Sequence, residues 1–325
     1  MTAEQKEIKL DTSNILEILG VNDENLKQIE DRFSASITVR GGSVFVKGVK
    51  VEIDVIEKIF KEMIYVQNTN GNLDSSDVNT IISLSKEGKE IINKEEYESI
   101  ILYTKNDTIK AKTPGQKKYI DIANKNDICF AIGPAGTGKT YLAVALAVAE
   151  LKKGNVKKII LARPAVEAGE SLGFLPGDFQ EKIDPYLRPL YDALDDMMPS
   201  EKLKGYIEKS IVEIVPLAYM RGRTLNNAYV ILDEAQNATD IQMKMFLTRL
   251  GANSKAIITG DITQIDLPGK SLSGLVQAKD ILSHIDGVGF VYFEKSDIVR
   301  HKLVKDIIDA YEKFNITNGK NNNSK

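Results

Sequence analysis

One cysteine, Cys129, two histidines, His284 and His301, and no apolar run long enough to cross a bilayer narrow the possibilities for this chain at once. A single thiol excludes an internal disulfide and any multi-cysteine zinc site. Its place in an apolar run reads as a buried core thiol. The histidines have no partner at metal-ligand spacing and read as structural. The longest apolar stretch, near Tyr141–Leu151, is too short for a membrane span. Met1-Thr-Ala-Glu-Gln-Lys6 lacks the basic-then-apolar signal pattern, so a cytoplasmic protein is expected. There is no excess of basic charge either: 43 Lys and Arg stand against 46 Asp and Glu, a formal net charge of −3. Nucleic-acid binding would therefore need a local patch. What the chain does have is 325 residues, 42% of them hydrophobic and 27% charged, enough for one large domain with a small companion.

The most informative segment is Gly133-Pro-Ala-Gly-Thr-Gly-Lys-Thr140, a complete G-x-x-x-x-G-K-[ST] phosphate loop. Asp127–Ile132 before it reads as a buried strand, and Tyr141–Ala149 after it as a core-facing helix. Glycines let the backbone of Gly133, Pro134, Ala135, Gly136, Thr137 and Gly138 curl. Its N–H groups then converge on phosphate oxygens with a helix N-terminus behind them. Lys139 reaches the β- and γ-phosphates, and the Thr140 hydroxyl holds Mg²⁺. An ordinary glycine-rich turn would not need the strand before and the helix after. The expected cofactors are ATP and Mg²⁺.

Further apolar strands are expected at Lys158–Ala162, Val212–Val215, Tyr229–Leu232, Ala256–Thr259 and Gly289–Phe293, with helical stretches mostly between them. That alternation implies a mostly parallel sheet covered on both faces, an α/β fold. Tyr229-Val-Ile-Leu-Asp-Glu-Ala-Gln-Asn237 has the form of a Walker B strand. Asp233 would fix the Mg²⁺ shell and Glu234 would orient or deprotonate water. The strand ending Ile257-Ile-Thr-Gly-Asp-Ile-Thr-Gln264 delivers Asp261 and Gln264 toward the γ-phosphate. It resembles motif III of superfamily 1 helicases, where the glutamine senses that phosphate. Gln116, in Thr113-Pro-Gly-Gln116, matches the position of the glutamine that reads adenine in those helicases; an exposed loop residue is the alternative.

The first 70 residues read as β-α-α-β-β-α, with strands at Glu7–Leu10, Ser36–Arg40 and Ser43–Val49 and helices at Asn14–Leu19, Asn25–Phe33 and Val51–Val66. Gly41-Gly42 is a hairpin signal. This order resembles a KH RNA-binding domain. The loop that should read G-x-x-G is instead Gly20-Val-Asn-Asp-Glu24, whose carboxylates repel phosphate. RNA binding and a small α+β docking role both remain open for it. Asn68–Asp74 reads as a polar hinge and residues 71–108 as a connector. The ATPase domain is expected over 109–318, and the asparagine- and lysine-rich 319–325 as a disordered tail.

Arginines stand at Met220-Arg-Gly-Arg-Thr224 and Ile298-Val-Arg-His301. Either segment can place guanidinium on transferred phosphate or on a nucleic-acid backbone, or leave it solvated. Arg300 is expected to supply an arginine finger at a neighbouring subunit's ATP in a ring. Action within its own chain, or pairing with a carboxylate, is the alternative.

Taken together, Thr113-Pro-Gly-Gln, the phosphate loop, Ala162-Arg-Pro-Ala-Val, Gly169-Glu-Ser-Leu-Gly-Phe-Leu-Pro-Gly177, Met220-Arg-Gly-Arg-Thr-Leu, Leu232-Asp-Glu-Ala-Gln-Asn and Gly260-Asp-Ile-Thr-Gln resemble the PhoH-like, phosphate-starvation-inducible ATPase family. A KH-like front end also occurs in one branch of it. The resemblance implies a RecA-like ATPase core related to superfamily 1 helicases, with single-stranded RNA or ribonucleoprotein as partner. Arg163, Arg221 and Arg223 would face that nucleic acid. Catalysis would rest on Lys139, Glu234, Gln264 and Arg300. Two other classes stay open: a nucleotide-gated protein-binding module, and a nucleoside kinase, since Asp-Glu-Ala-Gln also occurs in thymidine kinases. Those usually carry a four-cysteine zinc lobe, which one cysteine cannot build.

Overall fold

Strands that are apolar at successive positions must be covered on both faces of their sheet, and this requirement organises most of the molecule. The computed structural model describes residues 4–10, 15–70, 73, 75–86, 100–104, 108–164, 179–268 and 272–299, with Leu303 and Ile307. In chain order the strands are β1 (Glu4–Lys9), β2 (Ser36–Arg40), β3 (Ser43–Gly48), β4 (Ile100–Tyr103), β5 (Thr108–Lys110), β6 (Ile128–Ile132), β7 (Lys158–Arg163), β8 (Val212–Pro216), β9 (Ala228–Leu232), β10 (Lys255–Gly260) and β11 (Val288–Tyr292). The helices are α1 (Ile15–Leu19), α2 (Glu24–Glu30), α3 (Lys50–Asn70), α4 (Ser75–Lys86), α5 (Pro114–Lys125), α6 (Lys139–Lys152), α7 (Phe179–Met197), α8 (Ser200–Glu208), α9 (Asp240–Leu247) and α10 (Gly274–Leu282).

Six strands form one sheet in the order β11-β6-β10-β9-β7-β8, every pairing parallel. This is the expected RecA-like α/β core. Each strand begins and ends within a residue or so of where its apolar run does. Successive side chains go to opposite faces. Cys129, Ala131, Ile159, Leu161, Tyr229 and Ile231 pack under α5–α8, whereas Phe130, Ile132, Ile160, Val230, Leu232 and Ile258 pack under α9 and α10. Among the described residues, no helix is long and apolar enough to cross a membrane.

Cys129 is buried in the first of these layers, as its strand context implies. Burial pushes its thiol up to about 12 against the opposing pull of Lys255. Thiolate, not thiol, attacks electrophiles. The native protein should therefore resist a maleimide near neutral pH and react once unfolded; comparable labelling rates in both states would contradict this burial.

The N-terminal region shows the expected β-α-α-β-β-α succession around an antiparallel sheet ordered β1-β3-β2. Gly41 and Gly42 turn β2 into β3 with φ of 56° and 86°, values that L side chains adopt at a cost. The expected boundary at residue 70 needs correction. α3 runs to Asn70, and Leu73, Val78, Ile81 and Ile82 are buried in the same cluster as Ile18, Ile29, Val44 and Phe60. Helix α4 is thus part of the N-terminal core rather than of a connector. In turn β4 and β5 pair with each other and bury Ile101, Leu102 and Ile109 in the main core. The two regions meet where Lys152 of α6 pairs with Asp77 of α4 at 3.1 Å, and where the Thr80 hydroxyl donates to the Thr104 carbonyl.

Candidate functional site

Parallel register decides which side chains emerge together. Ile132 lies opposite Gly260 and Tyr292, while Leu232 lies opposite Ala162 and Ile258. The residues that follow, Gly133, Asp261, Phe293, Asp233 and Arg163, therefore leave the sheet at one edge, the carboxyl edge where ligands bind in open α/β sheets. The Gly133 N–H donates to Gly260 O at 3.1 Å, and a Cβ at Gly133 would stand 2.7 Å from Phe293. Only glycine lets the loop start this close to the next strand.

Within the loop, Lys139 donates to the Gly133 and Pro134 carbonyls at 2.7 and 2.8 Å, and the buried Thr137 hydroxyl donates to Pro134 O at 3.0 Å. Thr140 Oγ1 donates to Asp233 Oδ1 at 2.6 Å, and Thr259 Oγ1 donates to the same oxygen at 2.6 Å. A hydroxyl and a carboxylate side by side at a phosphate loop are hard oxygen donors, the set that suits Mg²⁺ once phosphates complete its shell. Lys139, Thr140, Asp233, Glu234, Asp261 and Gln264 line one cavity of about 260 Å³ together with Ala135, Gly136 and Gly138. Gln264 donates to Asp261 Oδ2 at 2.9 Å, and the Asp261 N–H donates to Gln236 Oε1 at 3.0 Å.

A larger cavity of about 910 Å³ opens beside it and shares Gly136, Gly138 and Tyr141. Gln116 is on its wall but is not an exposed loop residue. It is 4% exposed; its Nε2 donates to Thr137 O at 2.9 Å and its Oε1 accepts from the Lys112 N–H at 2.7 Å. It staples the start of α5 to the phosphate loop.

This is the site of a phosphate-loop nucleotide-binding protein. The PhoH-like protein family model matches residues 108–312. A PhoH-like protein of Bacillus subtilis is 50% identical over 301 residues, covering 92% of this chain and 94% of its own. The chain belongs to the PhoH-like protein family. A PhoH-like protein of Mycobacterium tuberculosis is 50% identical over 305 residues, 92% of this chain and 85% of its own, and protein PhoH of Escherichia coli is 47% identical over 205 residues, 62% and 58%. Among solved structures, a Sulfolobus solfataricus SWI2/SNF2 ATPase core in complex with dsDNA aligns with 59% of this chain and 47% of its own at 16% identity and a TM-score of 0.36, too slight a likeness to bear on the site.

The arginines of this PhoH-like chain are placed differently from one another. Arg163 is mostly buried: it donates to Tyr186 O at 3.0 Å and approaches Glu234 Oε1 at 3.8 Å. Arg223 pairs with Glu213 at 2.8 Å. Arg221 is exposed and lines a groove of about 670 Å³ with Lys244, Ile241 and Arg249. Arg300 and His301 lie outside the described residues, as do Gly169–Gly177 and 319–325.

One residue of the site went unnoticed in the sequence. Asp297 accepts from Thr113 Oγ1 at 2.7 Å, from the Gly115 N–H at 3.1 Å and from the Glu294 N–H at 3.0 Å. Two residues on, the Val299 N–H donates to Gly136 O at 2.9 Å. The end of the last strand thereby clasps both the start of α5 and the phosphate loop. Burial pushes the Asp297 carboxyl up, but the Thr113 hydroxyl and the Glu294 and Gly115 N–H groups outweigh it and hold it below its ordinary 3.8. A lowered folded value means that the stabilisation is full above the ordinary value and is lost as pH falls through the folded one. Asp297→Ala should cost about 1–3 kcal/mol near neutrality, because it leaves three part-buried donors without their acceptor. The gap from wild type should close in acid. Denaturant titrations stepped down in pH check this, and a gap independent of pH counts against an ionised clasp.

Proposed function

We propose that this chain is a Mg²⁺-dependent ATPase acting on single-stranded RNA or ribonucleoprotein. The observation that carries hydrolysis is Glu234, a carboxylate on the wall of the phosphate cavity next to the Asp233–Thr140 pair. In this reading water attacks the γ-phosphorus and its proton passes to Glu234. The bond to the β,γ-bridging oxygen breaks, leaving ADP and phosphate. Lys139 neutralises the phosphate oxygens, Gln264 faces the γ-phosphate, and Asp233 with Thr140 holds the cation. Bound Mg²⁺ would supply charge neutralisation. The RNA half is supported by the family resemblance and by Arg221 and Lys244, two cations exposed on one groove.

The test is ATP turnover by the full chain with and without single-stranded and structured RNA, with product analysis. ADP and free phosphate, formed faster with RNA, is the expected result. A phosphorylated nucleoside would replace the reading with a kinase, and turnover indifferent to RNA would favour a nucleotide-gated module. Lys139→Ala should lower nucleotide affinity in the same assay.

The expected ring, with Arg300 serving a neighbouring subunit, belongs to this proposal. The bond from Val299 N–H to Gly136 O keeps the residue before Arg300 on its own chain's loop, so service within the chain is the rival arrangement. Mixing Arg300→Ala with Lys139→Ala chains separates them: restored turnover means shared sites.

A further inference from the structure

Arg163 ends the second core strand and, by the register of β7 with β9, comes level with Asp233 and Glu234. Its guanidinium is fixed from one side by Tyr186 O and approaches Glu234 Oε1 from the other. The second oxygen of Glu234, Oε2, accepts from Gln236 Nε2 at 2.6 Å. Gln236 is only 1% exposed, and its own Oε1 is held by the Asp261 N–H. Both oxygens of the carboxylate therefore face protein partners. The backbone shares in this arrangement, because Glu234 takes left-handed angles of φ 51° and ψ 39°, which a non-glycine residue holds only when its surroundings impose them.

Resting on the RNA-dependent ATPase reading above, we propose that Arg163 is a positioning residue that restrains Glu234, and that an RNA phosphate taking the guanidinium releases the carboxylate to the attacking water. The two holds on Glu234 differ in strength. The Gln236 bond is short and its donor is buried. The Arg163 contact is 3.8 Å between side chains 14% and 36% exposed, a weak ion pair. A phosphodiester meeting the same guanidinium with two parallel N–H···O bonds is the stronger partner, since charge-assisted bidentate pairs are about twice as strong as ordinary hydrogen bonds. Exchange of partners at Arg163 then gives RNA a direct hold on the hydrolytic group, with no rearrangement of the sheet. Coupling of this kind is reciprocal: whatever frees Arg163 from Glu234 must also favour RNA.

Three full-length variants test this: Arg163→Ala, Arg163→Gln and Glu234→Gln. Loss of the restraint should raise the RNA-free kcat of both Arg163 variants by up to about fivefold, the scale of a part-exposed ion pair. KM for ATP should be unchanged and stimulation by oligouridylate lost. A general loss of structure lowers kcat and cannot raise it. Without turnover, Glu234→Gln with ATP bound should hold fluorescent oligouridylate up to about fivefold more tightly than wild type by anisotropy, because the ion pair between Arg163 and Glu234 is gone. Wild-type basal rate and stimulation in the Arg163 variants, or a lowered rate at an unchanged melting temperature, would overturn the inference alone. If both Arg163 variants misfold, the affinity of Glu234→Gln decides, and equality with wild type refutes it. Wild-type protein that neither hydrolyses ATP nor binds oligouridylate overturns the functional reading itself and this inference with it.

Discussion

Glu234→Gln should bind ATP as wild type does and turn it over about 10²–10⁴ times more slowly, the usual contribution of a positioned acid–base group. The substitution keeps the shape of the side chain, and an amide oxygen still accepts the Gln236 bond, so the wall of the phosphate cavity stays intact. Lys139, Thr140 and Asp233, which make the binding half of the site, are untouched. What disappears, on the proposed mechanism, is the group that takes the proton from water. Equilibrium binding of a labelled nucleotide, set beside single-turnover hydrolysis, separates the two effects. Equal hydrolysis by variant and wild type would remove Glu234 from the mechanism; lost binding would mean that its carboxylate supports the loop instead.

The second large effect concerns where the chain can be cut. A chain beginning at Ile109 loses β4, and with it Ile101 and Leu102, which are 7% and 1% exposed against the main core. Each deleted aliphatic side chain in such a place costs about 2–5 kcal/mol. The combined loss is a large part of the 5–15 kcal/mol that typically holds a domain together. A chain beginning at Glu96 keeps the hairpin. Melting should begin at least about 10 °C lower for the shorter chain. In the same way, a fragment ending at Lys86 should fold cooperatively while one ending at Asn70 should not, because only the former includes Val78, Ile81 and Ile82. Calorimetry of the four fragments checks both statements. Equal stability of the Glu96 and Ile109 chains would show that β4 is dispensable.

These cuts mark where local sequence ceases to be informative. The six core strands were readable because each is a run of apolar residues buried on both faces, and that requirement leaves its trace in adjacent letters. The phosphate loop and Asp233 were readable for a similar reason: their chemistry needs particular residues at fixed spacing, which puts Thr140 against Asp233. Helix α4 was not, since its buried positions match the pattern of any short amphipathic helix and nothing local says which core receives them. Asp297 looks like any surface acid until the fold brings Thr113 to it. The family resemblance gives Arg163 to nucleic acid, and its approach to Glu234 depends on the register between β7 and β9, a property of two strands rather than one. Thr113 accepts from the Gln116 N–H as the N-cap of α5, and nothing in that local bond shows that Asp297 holds the same hydroxyl.

The Asp297 clasp also sets an order of events during synthesis. Thr113 and Asp297 are 184 residues apart, a stretch that takes roughly ten to forty seconds to translate at 5–20 residues per second. The phosphate loop leaves the ribosome early in that interval, but Asp297, which holds the start of α5, and Val299, which bonds Gly136 of the loop, come much later. A nascent chain can therefore display its glycine-rich loop for many seconds without the clasp that steadies it. On the proposed function, full competence to hold nucleotide would come late, after nearly all of the sheet has been made, and an unfinished chain would consume little ATP.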